Sequence, residues 1–253
     1  MRAATVTDVG PRDNNEDATF TSPRLLAVAD GVGGAVAGEL ASRLVVDKLR
    51  HLSEVRLEHP LEDELVAAVA DANDVIDFAA VCDPEIAGLA TTLTAVALSN
   101  DGEYLIANVG DSRTYLYRDG RLERLTRDQS LVQELIDRGA VTEIEARHHP
   151  QRSIVLEALD GVRRPLPPVS RAGARAGDRL LLCSDGVTDY LGDEQIAESM
   201  ALADAGAVAG DLVRRALAEG GRDNATAVVA DVVARNDPED GWLDYLPFVR
   251  SAA

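Results

Sequence analysis

Four aspartates stand at the ends of strand-like runs. Asp30-Gly31 follows residues 25–29, Gly110-Asp111-Ser112 follows 105–109, Asp185-Gly186 follows 180–184, and Asp223-Asn224 precedes 225–229. A carboxylate at the end of a buried strand is held rigidly. The adjacent glycine leaves room for a bound atom and frees a backbone carbonyl. Several such ends brought together make an oxygen-rich cage of the kind hard divalent cations such as Mg²⁺ or Mn²⁺ prefer, with water completing the shell. One Asp-Gly alone is ordinarily a tight turn, and Asp101-Gly102 and Asp119-Gly120 read that way. Four acidic strand ends, together with Arg12-Asp13-Asn14-Asn15-Glu16-Asp17, are harder to assign to turns. Packed together they would repel and raise one another's pKa values, and cations are the natural neutraliser.

Other chemistries are poorly served. None of the four histidines, His51, His59, His148 and His149, lies in these turns, and the pair before Pro150 reads as a surface loop. There is no H-E-x-x-H, G-x-S-x-G or G-x-x-x-x-G-K-[ST] motif. Gly31-Val32-Gly33-Gly34 lacks the G-x-G-x-x-G spacing and a nearby lysine. Cys82 and Cys183 match neither a disulfide framework nor a zinc ribbon, and both read as buried free thiols in a reducing cytoplasm.

The elements that must position the aspartates alternate in groups. Residues 4–9 and 25–29 read as strands, and 36–52 and 61–81 as helices. In the second helix Leu61, Leu65, Val69, Ala72 and Ile76 recur at helical spacing. Residues 91–98 and 104–109 flank Asn100-Asp101-Gly102, and 114–117 and 122–125 flank Asp119-Gly120, two hairpins. A helix over 129–139 ends at Gly139. A strand at 179–183, helices at 193–202 and 205–219 and a strand at 225–233 complete the series. Paired helices and hairpin-linked strands predict an α+β fold, a central antiparallel β-sandwich with helical pairs outside. Residues 1–234 form the domain. Residues 235–253 form a C-terminal tail whose Trp242, Tyr245, Leu246 and Phe248 suit packing on its own domain or binding a partner.

Composition sets the partners. The chain has 253 residues, is 46% apolar and carries a formal net charge of −19, from 44 Asp and Glu against 25 Lys and Arg. Such a balance excludes nucleic acid and anionic membranes as main partners. No apolar leader and no run near the roughly 18 apolar residues of a membrane span is visible.

The ordered motifs resemble the metal-dependent protein phosphatases of the PPM type, the type 2C serine/threonine phosphatases, in their bacterial style. The resemblance runs over residues 5–233: Thr7-Asp8-Val9-Gly10 with Arg12 and Asn15-Glu16-Asp17, Val28-Ala29-Asp30-Gly31-Val32-Gly33-Gly34, Ala90-Thr91-Thr92-Leu93, Asn108-Val109-Gly110-Asp111-Ser112-Arg113, Leu125-Thr126-Arg127-Asp128-Gln129-Ser130, Cys183-Ser184-Asp185-Gly186-Val187-Thr188-Asp189 and Arg222-Asp223-Asn224-Ala225-Thr226. It implies α/β/β/α layers, and two Mn²⁺ or Mg²⁺ ions bridged by Asp30, with the Gly31 carbonyl as a further ligand. Asp185 and Asp223 would complete one shell, and Glu16 and Asp17 would hold metal-bound waters. Asp111 and Asp185, with Asp189 nearby, would bind a third, weaker ion. Arg12 would grip the substrate phosphate, and hydroxide activated between the ions would hydrolyse phosphoserine or phosphothreonine.

The implied partners are phosphorylated proteins, with a Ser/Thr kinase whose action the enzyme opposes; the chain is expected to be a cytoplasmic monomer. The alternative is a catalytically silent phosphatase-fold regulatory module, which a missing aspartate ligand would mark. Two departures stand out. Val32 replaces the histidine of animal members and cannot protonate a leaving group. Asp128-Gln129-Ser130 replaces the Asp-His-Ser of many relatives, which bears on contacts with a flap over roughly 130–155.

Overall fold

A computed structural model describes residues 1–32, 35–54, 60–83, 86, 88–162 and 167–234. Gly33, Gly34 and the tail at 235–253 lie outside them. One antiparallel sheet contains β1 (Arg2–Asp8), β7 (Arg113–Arg118), β8 (Arg121–Arg124), β10 (Arg179–Cys183) and β11 (Ala225–Asp231), in the order β1-β11-β10-β7-β8. The other contains β2 (Asp17–Thr21), β3 (Leu25–Val32), β5 (Leu93–Leu98), β6 (Glu103–Val109) and β9 (Val169–Gly173), in the order β2-β3-β5-β6-β9. The two-residue β4 (Ala90–Thr91) extends the end of β3.

Strand alternation builds three cores. Leu25, Ala27, Ala95, Ala97, Leu105 and Ala107 face the pair α1 (Ala35–Glu54) and α2 (Leu61–Cys82), meeting Val45, Leu49, Leu65 and Ile76. Tyr115, Leu181, Cys183, Ala227 and Val229 face α5 (Asp185–Thr188), α6 (Asp193–Met200) and α7 (Ala205–Ala218). The intervening residues, Leu26, Val28, Val96, Ile106, Leu116, Leu180, Leu182 and Val228, fill the space between the sheets. The result is the expected helix–sheet–sheet–helix stack. Two further short helices, α3 (Leu131–Asp137) and α4 (Glu143–Arg147), form the flap region.

The second hairpin turns through Asp119 and Gly120, whose φ values of 51° and 76° are the positive pair a type I′ turn requires. One expectation fails: Cys82 is exposed, at the last turn of α2, and only Cys183 is buried. A helix end that meets solvent does not cover its final side chains.

At the end of the sandwich away from the strand-end aspartates, Asp178 is almost wholly buried but saturated with donors. Its carboxylate accepts from Tyr104 (2.7 Å), from Arg118 Nε (2.6 Å) and Nη2 (2.7 Å), and from the Arg175 amide (2.7 Å). Burial pushes its pKa up, but Arg118 and Tyr104 outweigh this and hold it below the usual range. A depressed carboxylate adds stability above its unfolded pKa and loses it as pH falls through the folded value. Asp178→Asn is therefore expected to cost about 2–4 kcal/mol at pH 7. The gap from the parent should begin to narrow as pH falls below about 4, the ordinary carboxylate value, and go on narrowing at lower pH, as measured by urea unfolding.

Candidate active site

The inter-sheet layer changes character along the strands. Beyond its aliphatic half, the same alternating positions become Thr92, Thr94, Asn108, Ser112, Thr114, Ser184 and Thr226, all buried. Hydroxyl pairs then stitch the sheets together, Thr94 Oγ1 with Thr114 Oγ1 at 2.7 Å and Thr92 Oγ1 with Ser112 Oγ at 2.8 Å. The aspartates stand above this polar floor.

Asp30 continues the inter-sheet face of β3 and lies directly across from Asp17 on β2. Its backbone is fixed on both sides. The Asp30 amide donates to Thr92 Oγ1 (3.2 Å), and its carbonyl accepts from the Thr92 amide (2.8 Å) and Thr91 Oγ1 (2.8 Å). The Gly31 amide donates to the Glu16 carbonyl (3.1 Å). A Cβ on Gly31 would stand 2.2 Å from the Gly38 carbonyl oxygen of α1, so only glycine admits this helix so close to the strand end. Asp17 Oδ2 accepts from Ser184 Oγ at 2.9 Å. Asp185 opens α5 directly after β10, and a Cβ on Gly186 would fall 1.9 Å from the Asn224 carbonyl oxygen. That contact locks the Asp185 turn against the Asp223 turn.

Asn224 ties the amino-terminal loop to the same place. Its Nδ2 donates to the carbonyls of Val9 and Asn14, both at 2.9 Å, and its Oδ1 accepts from the Glu16 amide at 2.8 Å. This brings Arg12 over Asp223, where Nη2 meets Asp223 Oδ2 at 2.7 Å and Nε donates to the Arg222 carbonyl at 3.2 Å. Two of its five donors are thus engaged, and three remain, two of them on Nη1.

The nine predicted residues fall at one end of the sandwich, and most of the acids act on each other. Burial raises Asp30 and Asp185 well above the ordinary carboxylate range, and their acidic neighbours add to it: Asp17, Asp185, Asp111 and Asp223 around Asp30, and Asp111, Asp189, Asp223 and Asp17 around Asp185. Asp17 is pushed up to about 6 and Asp111 to about 7, again chiefly by burial. Glu16 is raised by burial against the opposing pull of Arg12, and Asp189 by burial against Arg152.

Asp17 Oδ1 is buried and makes no hydrogen bond. An orphaned carboxylate oxygen among repelling carboxylates fits a cation of hard character. Among the described residues, no three His, Cys, Asp or Glu side chains form a ready-made ion cage. A hard cation such as Mg²⁺ usually keeps several waters in its shell and is held by only one or two carboxylates directly.

Beside the cluster, Arg113 forks onto the buried Asp128, with Nε at 2.9 Å from Oδ1 and Nη2 at 2.6 Å from Oδ2. Gln129 holds the Asp111 turn: its Oε1 accepts from the Gly110 amide (2.7 Å) and its own amide donates to the Gly110 carbonyl (2.9 Å). Its carbonyl meanwhile accepts from Leu156 (2.8 Å), so the glutamine that replaces histidine serves both the acidic turn and the flap. Arg152 from the flap reaches Asp189 Oδ2 at 3.0 Å. Residue types and spacing did not single out Arg152, Ser184 or Asn224 as individual contributors. Ser184 and Asn224 could have been suspected only as immediate neighbours of the motif aspartates.

Comparison with known proteins agrees with this arrangement. Residues 12–219 match the family described as protein phosphatase 2C. The serine/threonine protein phosphatase PstP of Mycobacterium tuberculosis is 44% identical over 234 residues, which are 92% of this chain and 45% of that protein. The chain thus spans less than half the length of these mycobacterial relatives. The serine/threonine phosphatase stp of Listeria monocytogenes is 32% identical over 242 residues, covering 91% of this chain and 96% of that one. A crystal structure of the mycobacterial PstP superposes with a TM-score of 0.88 at 43% identity, over 92% of this chain and 99% of that one. A second, of its catalytic domain in complex with two manganese ions, gives 0.86 at 42% identity, covering 92% and 98% of the two chains.

Proposed function

The chain belongs to the protein phosphatase 2C family, and on that premise we propose that it hydrolyses phosphoserine and phosphothreonine on proteins, opposing a Ser/Thr kinase. The observation that carries this reading is the carboxylate cluster itself, above all the orphaned Asp17 oxygen beside Asp30 and Asp185. Asp30, the Gly31 carbonyl, Asp185 and Asp223 would hold two Mn²⁺ or Mg²⁺ ions. Glu16 and Asp17 would support them through water, and Asp111 and Asp189, with Asp185, would hold a third, weaker one. When bound, such ions lower the pKa of water and neutralise phosphoryl charge.

The chain's own residues do the rest. Arg12 presents a planar cationic edge to the phosphate and stays oriented by Asp223 and the Arg222 carbonyl. As charge spreads over the phosphoryl oxygens, that fixed guanidinium stabilises it without reorganisation. Ser184 holds Asp17, and the hydroxyls of Thr91 and Thr92 hold the Asp30 backbone, so the carboxylates need no ordering when substrate arrives. Val32, exposed at the end of β3, offers no proton to the leaving oxygen.

Among the described residues no helix is long and apolar enough to cross a membrane. A cytoplasmic monomer, with residues 1–234 as the domain, is part of the same reading.

The test is release of phosphate from a phosphothreonine peptide with Mn²⁺ or Mg²⁺ and its loss on chelation. No turnover with either ion would refute the reading. Chelation should also lower the melting temperature. A ligand at about 100 times its Kd adds about 2.7 kcal/mol, or roughly 5–10 °C for a domain of this size. Arg12→Ala is expected to raise KM for phosphopeptide about tenfold, the loss of one charge-assisted contact. An unchanged KM would remove Arg12 from phosphate binding.

A further inference from the structure

Between the flap and the body of the domain lies a cavity of about 50 Å³. Val132, Ile136 and Ala146 give it an apolar side, and Arg113, Arg124, Arg147 and Arg152 a cationic one. Two of these arginines are committed, Arg113 to Asp128 and Arg152 to Asp189. Arg124 is not: it reaches Asp128 Oδ1 only at 4.0 Å, an oxygen Arg113 already holds, and otherwise donates to Gln133 Oε1 at 3.3 Å. Arg147 has no ion-pair partner among the described residues. Its guanidinium lies against Gly192, where a Cβ would stand 2.6 Å from Nη1, so the missing side chain leaves the notch that receives it. The remaining acids of the lining, Glu143 and Asp193, are exposed. The inner part therefore presents two half-buried cations beside an apolar wall.

The cavity adjoins the reaction centre. Its Thr188-Asp189 edge continues the turn that Asp185 begins, so that Asp189 stands about 6 Å of helical rise from Asp185. An extended peptide covers about 3.3–3.6 Å per residue, so two or three residues span that distance. We propose that this cavity binds a second anionic group of the phosphoprotein, a carboxylate or phosphate within about three residues of the reacting phosphoresidue, through Arg124 and Arg147. An aliphatic stem would lie on Val132 and Ile136. The proposal rests on the phosphatase reading and refines its substrate class. It also answers how a strongly acidic chain selects an anionic partner: the attraction is local.

The test is a panel of phosphothreonine peptides with Ala or Glu at each of the four positions on either side, and phosphoserine in place of Glu at the best one. With manganese-loaded protein, Glu at one offset within three residues should lower KM about tenfold relative to Ala. Phosphoserine there should do at least as well if the cavity accepts phosphate. In Arg147→Gln, in Arg124→Gln and in Gly192→Ala, which fills the notch, the Ala-to-Glu ratio of KM values should fall below about twofold. A general loss of activity or stability does not move that ratio. No preference at any offset, or a preference that survives in the Arg124→Gln/Arg147→Gln protein, would overturn the proposal. Fluorescence anisotropy with the same peptides reads the preference without turnover, so absent hydrolysis would count against the phosphatase reading alone.

Discussion

Asp185→Asn is expected to lower manganese-dependent turnover on the order of a thousandfold while raising the melting temperature of the chelated protein. Both effects come from one cause. Asp185 is buried among Asp111, Asp189, Asp223 and Asp17, and its pKa is driven well above the ordinary range. A carboxyl whose folded pKa is raised costs stability as pH climbs from the unfolded value to the folded one, because the unfolded chain gives up its proton first. Asparagine keeps the shape and removes the cost. In EDTA the variant and the parent should therefore melt together near pH 4 and diverge toward pH 8. Each kcal/mol of divergence appears as about 2–4 °C. Added Mn²⁺ should reverse the order, since the parent then gains a neutralising partner that the variant binds poorly. If the chelated variant melts lower than the parent at pH 8, repulsion is not what governs this cluster.

Arg113→Ala is expected to destabilise the protein by about 3–5 kcal/mol, the usual consequence of stranding one member of a buried pair. Asp128 is 4% exposed and would be left buried without its bidentate partner. The loss should be visible in urea as a lower midpoint. The double replacement Arg113→Met/Asp128→Leu should regain most of the midpoint, because an apolar pair of similar volume removes both charges together. A double variant no better than the single would mean that Asp128 has other duties, among them the influence it exerts on Asp111.

Much of this architecture is legible in residue order, and the gaps have physical causes. Near-continuous apolar runs announce β3, β5, β6, β10 and β11 because each is buried on both faces. β2 and β9 carry no such signal: Asp17-Ala18-Thr19-Phe20-Thr21 is short, and Val169–Gly173 is an edge with little apolar content. α5 is one turn long, too short for any period to show, and α4 holds only five residues. The aspartates of the site were legible because strand-end Asp-Gly is a local pattern. Their supports were not. Ser184 meets Asp17 across 167 residues and Arg152 meets Asp189 across 37, and nothing local in a serine or an arginine announces such a partner.

The graded filling between the sheets has a thermal consequence. Exposing aliphatic surface raises heat capacity, whereas exposing hydroxyls and amides lowers it. The half lined by Leu26, Val96, Ile106 and Leu180 therefore draws on a force that weakens on cooling, while the half lined by Thr92, Thr94, Ser112 and Thr114 carries a heat-capacity term of the opposite sign. A single interface thus carries two temperature coefficients along its length. The candidate site is seated on the end that does not share the aliphatic half's weakening on cooling.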